Sequence, residues 1–438
     1  MTTQAPASAL AGEPGVPAPL FSNINFRWLI GGGAISMLGD QFTLFALPWL
    51  VIELSRDPLA LAAVFALSSL PRVLLLPLIG PLVDGRAPDR ILLWSKAVNT
   101  VLLCALAFAV AGGQPPLSLI YLLALCMGIC GAFAVPCSAA LLPQVVARDN
   151  LLAANKTIMA LSQAALLAGP LAAGAIVALC ARTPAAPVSS KTGLFWVFAF
   201  DAISFAVSAL AVSRLKNVRQ APSPQAGQQG LWHAAARLWS DRELRTCVVY
   251  WIACIACLGG PIQVGLPVLA SEAHGFGPAA YGTMLAAQGA GALGGMLLSG
   301  VGASPAVSFG TRLLLIDAAI AVFVVLLGLA GSAWQMAALL FVIGALNGTV
   351  QVKIFTWAQL RTPPDMLGRA SSLFMLMLMA AGTLSCAIAG WALQYVAPHS
   401  LFLLAAAGLA LVIALTWLGT RLGTIVEHSD AGLSRRLS

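Results

Sequence analysis

A chain of 438 residues that is 60% hydrophobic and only 9% charged, with a mean hydropathy of +0.91, is composed like a protein that lives in lipid. That excludes a soluble enzyme and a soluble nucleic-acid-binding domain, even though the net charge is +8. The basic excess speaks to membrane orientation instead, because it gathers in the short polar stretches between apolar runs.

A membrane helix takes about 20 apolar residues. The sequence predicts twelve, at roughly 28–53, 58–82, 91–111, 117–142, 153–180, 194–213, 244–270, 278–301, 311–330, 333–357, 370–396 and 400–420. The expected fold class is an all-α membrane protein. Its expected layout is a tail at 1–27, a six-helix bundle at 28–213, a linker with an amphipathic helix at 214–243, a second six-helix bundle at 244–421 and a tail at 422–438. The Ala- and Pro-rich start lacks the basic region and apolar core of a cleaved signal. With the N-terminus inside, 18 of the 23 Lys and Arg fall in inner loops, Lys96 among them. Three fall outside (Arg56, Arg182, Lys191), and Arg72 and Lys353 lie within spans. Both termini are therefore expected in the cytoplasm, with the chain multi-pass in a bacterial inner membrane. The nine cysteines read as buried thiols.

Span one carries Asp40 about 18 Å beyond its inner end, near mid-membrane. A carboxylate there is costly against lipid, so it is expected to face the bundle interior. Arg72, in the middle of span two, reaches a similar depth. The pair reads either as a structural tie between spans one and two or as a proton- or substrate-coupling site.

Span two runs into GPLVDGRAPDRIL, residues 80–92. As chemistry alone this is a polar turn, with Asp84 placed to cap the next helix and Arg86 and Arg90 to meet headgroups. In a chain of twelve spans it resembles the loop motif G-x-L-a-D-r-x-G-r-k-x-x-l of the major facilitator superfamily. Gly80, Leu82, Asp84 and Leu92 match, whereas Gly85, Pro88 and Asp89 stand where the family places basic residues. The resemblance implies the major facilitator fold, two six-helix pseudo-repeats, and transport by alternating access. It also implies a cytoplasmic latch at Gly80, Asp84, Arg86 and Arg90.

Span four and its exit, from Gly131 to Asn155, together with Gly39–Leu50 and the PRVLLLPLIG run of span two, resemble the branch that holds enterobactin exporters and macrolide efflux pumps. In span five, Ala165, Gly169, Pro170, Ala173 and Gly174 resemble the family's antiporter motif, which implies a hinge at Gly169, Pro170 and Gly174 and export over uptake. Small residues four apart allow helices to approach, and the proline frees a carbonyl. Asp201 in span six is expected near the cavity mouth, water-exposed or paired, as a further proton-coupling candidate.

The second half weakly repeats the first: a shift of 216 places Asp149 on Asp365, and a shift of 220 places Gly80 on Gly300. Asp317 and Lys353 read as structural charges near the inner side. A central cavity is expected to be lined by Phe42, Phe45, Gln163, Gln263, Gln288, Asn347 and Gln351.

No phosphate-binding Gly-rich loop, catalytic motif or metal-ligand set is visible, so no enzyme, cofactor or metal is expected. The expected function is a secondary active exporter, a proton antiporter, of a siderophore or a hydrophobic drug-like small molecule. Its partners would be the substrate, protons and the bilayer, with no nucleic acid, and it would act as a monomer. The alternatives are a proton-coupled uptake symporter of the same fold and a non-transporting membrane sensor or scaffold.

Overall fold

The protein is described here by a computed structural model over residues 20–84, 87–147, 150–181, 190–216, 236, 239–272, 277–299, 308–362, 367–420 and 422–424. Twelve long helices cross it in alternating directions. They are α1 (Ile24–Ser55), α2 (Pro58–Asp84), α3 (Pro88–Ala111), α4 (Leu117–Val145), α5 (Leu151–Ala181), α6 (Ser190–Ser213) and α7 (Arg242–Gly260). The rest are α8 (Pro278–Leu298), α9 (Phe309–Leu329), α10 (Ala333–Arg361), α11 (Leu367–Ala392) and α12 (Pro398–Gly419). The seventh crossing is carried on past α7 by a π-helical turn, Pro261–Gly265, and a last segment, Leu266–Glu272.

Local chemistry sets the ends. Asn23 caps α1 by accepting the backbone N–H groups of Asn25 and Phe26, and Arg56 in the left-handed conformation closes it. Proline opens α2, α3, α8 and α12, where its missing N–H leaves no intrahelical bond unmade. Eleven crossings are long and apolar enough to span a bilayer. The exception is α8, whose run of glycines, Gly282, Gly289, Gly291, Gly294 and Gly295, dilutes its hydropathy.

The packing repeats. In the first half α1 packs on α5 and α6, α2 on α4, and α3 on α6; in the second, α7 packs on α11 and α12, α8 on α10, and α9 on α12. Each contact of the second set is the first with six added to both helix numbers, so the fold is two six-helix pseudo-repeats. The halves meet along two equivalent seams, α2 against α11 and α5 against α8. Hereafter the tail side is the face on which α1 begins and α12 ends, and the far side is the opposite one.

The tail-side caps repeat as well. Asn23, before α1, donates from Nδ2 to the Val145 carbonyl at the end of α4 at 2.7 Å. Asp241, before α7, caps that helix and meets Arg361 at the end of α10 at 2.7 Å, with Glu243 2.8 Å from the same guanidinium. Partial burial works to raise the Asp241 pKa, but the Arg361 hydrogen bond and the helix N–H groups outweigh it and hold the carboxyl below its ordinary value. The linker expected at 214–243 lies largely outside the described residues, as do the flanking tails.

Candidate functional site

Two adjoining cavities lie where the bundles face each other. One, of about 350 Å³, is walled by Asp40, Ser68, Arg72, Lys96, Asn99 and Asp201 of the first half. The other, of about 440 Å³, is walled by Trp251, Gln288, Asp317 and Asn347 of the second half, with Gln41 and Pro170 from the first. Leu44, Phe65 and Gln263 line both, so the two adjoin across a shared wall and together make up the compartment between the halves.

The charged wall is assembled on a stripe of small residues along α1. Gly32, Ser36, Gly39 and Thr43 are all buried. A methyl group at Gly39 would collide with the Asp201 carboxylate and the Ser204 hydroxyl, and one at Gly32 would collide with α6 at Ala211 and Ser208. Glycine therefore lets α6 press close enough for Thr43 Oγ1 to donate to Asp201 Oδ2 at 2.5 Å, while Ser204 Oγ donates to Oδ1 at 3.0 Å. Asp201 is 1% exposed, so it is a buried, hydroxyl-bound carboxylate and not a water-exposed group at the cavity mouth.

Lys96 stands eight residues into α3, donates from Nζ to Ser36 Oγ at 2.7 Å, and lies 4.5 Å from the Phe205 ring centroid. It belongs to the site and not to an inner loop: it falls within the expected third span, 91–111, and the Pro88 start of α3 places it about 12 Å along that helix. Its charge acts on both Asp40 and Asp201, and that of Arg72 acts on Asp40. Asp40 lines the cavity with its side chain accessible from it.

Asp40 and Arg72 share this wall without forming a direct ion pair, because Arg72 is turned towards α4. Its guanidinium lies where any side chain at position 131 would have to be, so Gly131 is the cradle that admits it. Among the described residues its buried Nε has no hydrogen-bond partner.

The second half answers with the opposite sign. Asp317 is eight residues past the start of α9, as Lys96 is past the start of α3. Tyr250 Oη donates to its Oδ2 at 2.5 Å and Cys254 Sγ at 3.9 Å. Cys254 follows its cap Asp241 by thirteen residues, as Ser36 follows Asn23, so Lys96 on Ser36 and Asp317 on Cys254 are equivalent contacts. Cys254 and Cys257 are spaced as Cys-x-x-Cys within α7, and both are free thiols. Asp317, read from sequence as a structural charge, thus lines the compartment.

Of the expected cavity residues, Gln263, Gln288 and Asn347 line the compartment. Gln163 is half-buried and donates to the Met296 sulfur on α8 at 3.4 Å, and Gln351 is exposed away from the lining. Phe42 and Phe45 are corrections: both are buried in the packing, Phe42 stacked on Phe200 at 4.6 Å and Phe45 on Tyr281 at 5.2 Å. Trp49 stacks on the same Tyr281 at 5.9 Å, so α1 and α8 close the far side with three aromatic rings.

The span-five motif sits at a three-helix junction. A methyl at Gly169 would collide with Gln41 of α1, Pro170 lines the cavity, and a methyl at Gly174 would stand 2.9 Å from the Pro278 carbonyl and 3.0 Å from Gly282 Cα of α8. Of the expected latch, Arg86 lies outside the described residues, as do the surroundings of Gly80 and the side chain of Asp84, and Arg90 is exposed on the first turn of α3.

The family model described as Major Facilitator Superfamily matches residues 29–386. Among curated proteins, an uncharacterized MFS-type transporter, YvqJ of Bacillus subtilis (strain 168), is 24% identical over 153 residues, a match that spans 35% of this chain and only 36% of that relative. Among solved structures, the nucleoside transporter NupG superposes with a TM-score of 0.70 at 12% identity, covering 90% of this chain and 98% of that one. A bacterial homologue of the iron transporter ferroportin in its inward-facing state gives 0.65 at 15% identity over 90% and 98%. An auto inhibited POT family peptide transporter gives 0.68 at 14% over 93% and 98%. At these identities the likeness to solved structures is one of fold.

Proposed function

Because the chain belongs to the Major Facilitator Superfamily, a family of membrane transporters, we propose that it is a proton-coupled exporter of hydrophobic drug-like molecules working by alternating access. The observation that carries this reading is the acid–base cluster of Asp40, Asp201, Lys96 and Arg72 on the wall of a compartment between the two halves. With two carboxylates and two cations the cluster is electrically balanced. Adding a proton to either carboxylate leaves it one positive charge in excess, and a charge imbalance in a low-dielectric interior favours rearrangement or release. A proton and a substrate that favour different arrangements of the same helices exchange across the membrane.

The remaining walls, with Trp251, Phe65 and four carboxamides (Gln41, Gln263, Gln288 and Asn347), suit an aromatic amphiphile. Acids outnumber bases in the lining, which favours a drug-like molecule over a polyanionic siderophore. The tail side is read as cytoplasmic from the distribution of Lys and Arg. With the far side closed, this is the state in which an exporter would load its substrate from within.

The test uses everted membrane vesicles with an imposed proton gradient and Hoechst 33342 as substrate. The wild-type protein is expected to release protons on addition of the dye, and Asp40→Asn and Asp201→Asn to abolish that release while inserting normally. A wild-type protein that moves the dye with no proton flux, or variants that match it, would overturn the antiporter reading.

A further inference from the structure

Lys96 is answered by Asp40 and Asp201, whereas its counterpart Asp317 has hydroxyl and thiol donors and no cation. Among the described residues no Lys or Arg lies at ion-pair distance from Asp317, whose polar neighbours are Tyr250 and Cys254. Asp317 is 3% exposed, and the opening it has leads to the larger cavity, beside Trp251 and Asn347. Counting both cavities, the lining holds three carboxylates, Asp40, Asp201 and Asp317, against two cations, Arg72 and Lys96. The single negative charge in excess is confined to the second half.

A buried carboxylate without a counter-charge is costly; the Tyr250 and Cys254 donors offset part of that cost, and a proton or a cation from outside the chain would offset the charge itself. An inorganic cation is poorly served here. The walls around Asp317 are Trp251, Ile255, Leu258 and Val350 with carboxamides, and they supply no second carboxylate to replace a hydration shell. An organic cation with an aromatic body suits the same walls, its charge near Asp317 and its rings on Trp251.

We propose that the second-half cavity is the binding site for an aromatic organic monocation, with Asp317 as its counter-charge. This rests on the transporter reading but not on the proton chemistry of Asp40 and Asp201. Substrate charge is read by one half and the proton is handled by the other. Tyr250 is a positioning residue: its hydroxyl fixes one carboxylate oxygen and leaves the other to the ligand.

Two probes of one shape and opposite charge, tetraphenylphosphonium and tetraphenylborate, isolate the sign of the charge. In equilibrium dialysis against the purified full chain, the phosphonium is expected to bind at least tenfold tighter than the borate. Asp317→Asn is expected to weaken the phosphonium at least tenfold without weakening the borate, and Asp317→Glu to restore cation binding. Borate binding as tight as phosphonium, or an Asp317→Asn protein that binds both as the parent does, would overturn the proposal. The wild-type comparison needs no variant, so it decides the matter even if Asp317→Asn fails to fold. Failure here is distinguishable from failure of the transport reading, because proton release driven by neutral compounds in vesicles would survive it.

Discussion

Thr43 holds Asp201 with the shortest bond in the charged wall, and nothing else about that residue requires a hydroxyl: it is buried against α6 and lined by small neighbours. A hydrogen bond to a charged group contributes about 1.5–3 kcal/mol, and leaving the carboxylate oxygen bare costs that and its desolvation. Thr43→Val keeps the shape and removes the donor. It is expected to cut substrate-driven proton release in vesicles at least tenfold at unchanged protein level, while Thr43→Ser stays near the parent. Equal activity of Thr43→Val and the parent would show that Asp201 is placed by packing alone. At this scale the sequence was legible for charge and poorly legible for direction. Asp40, Arg72 and Asp201 declare themselves because charges in apolar runs are rare. Phe42 and Phe45 do not, because a helix with lipid on one side and protein on the other is apolar on both. Sequence shows no contrast by which to tell a ring in the cavity from a ring in the packing. Lys96 was hidden for a different reason. The expected third span, 91–111, already held it, but so near the inner end that it counted as an orientation charge and not as part of the site.

Helices α8 and α10 make the closest pairing in the second half, and glycine is the reason. A methyl group at Gly291 or Gly295 would collide with the backbone of Phe341 or Ala345, and one at Gly344 or Gly348 with the backbone of Gln288 or Ala292. The four positions form two small-residue ladders with a spacing of four, each notched into the other. The first half has the same device in shorter form, where Gly128 of α4 faces the Ser68 carbonyl of α2 and Gly131 admits Arg72. Because the obstacle at Gly291 is backbone and not a flexible side chain, Gly291→Ala cannot be relieved by a rotamer change. It is expected to destabilise the protein by about 1–3 kcal/mol, read as a lowered melting temperature in detergent. Gly294→Ala, whose added methyl meets nothing within 4 Å, is the matched control and is expected to leave the melting temperature unchanged. The ladder was legible as packing from the run GTMLAAQGAGALGGMLLSG, but its partner was not, since a small-residue stripe says that something comes close and not what. The helix count was legible because the thickness of a bilayer fixes the length of each apolar run, and the two-half organisation because the second half weakly repeats the first.

In the whole molecule, the far ends of the two bundles are drawn together at matched places. Gly174 of α5 meets Pro278 and Gly282 at the start of α8, Gly390 at the end of α11 meets Pro58 and Ala62 at the start of α2, and Tyr281 is covered by Phe45 and Trp49. The proposed alternating access would require this far-side seam to part and re-form in every cycle, so it should depend on residues small enough to close fully. Gly282 is hemmed in by backbone, with the Pro170 carbonyl and the Gly174 backbone both within reach of any Cβ placed there. Gly282→Leu would wedge the seam open and leave the compartment facing the far side. The native thiol Cys254, which lines the larger cavity, reports on this directly. A membrane-impermeant methanethiosulfonate reagent applied to the far side is expected to label Cys254 in Gly282→Leu and to spare it in the parent. Addition of Cys254→Ala would identify the labelled site among the nine cysteines. Transport should stop in the same variant, because a rocker fixed at one end cannot cycle. If Gly282→Leu transports like the parent and leaves Cys254 protected, the far-side contacts are incidental packing and the moving seam must lie elsewhere along α5 and α8.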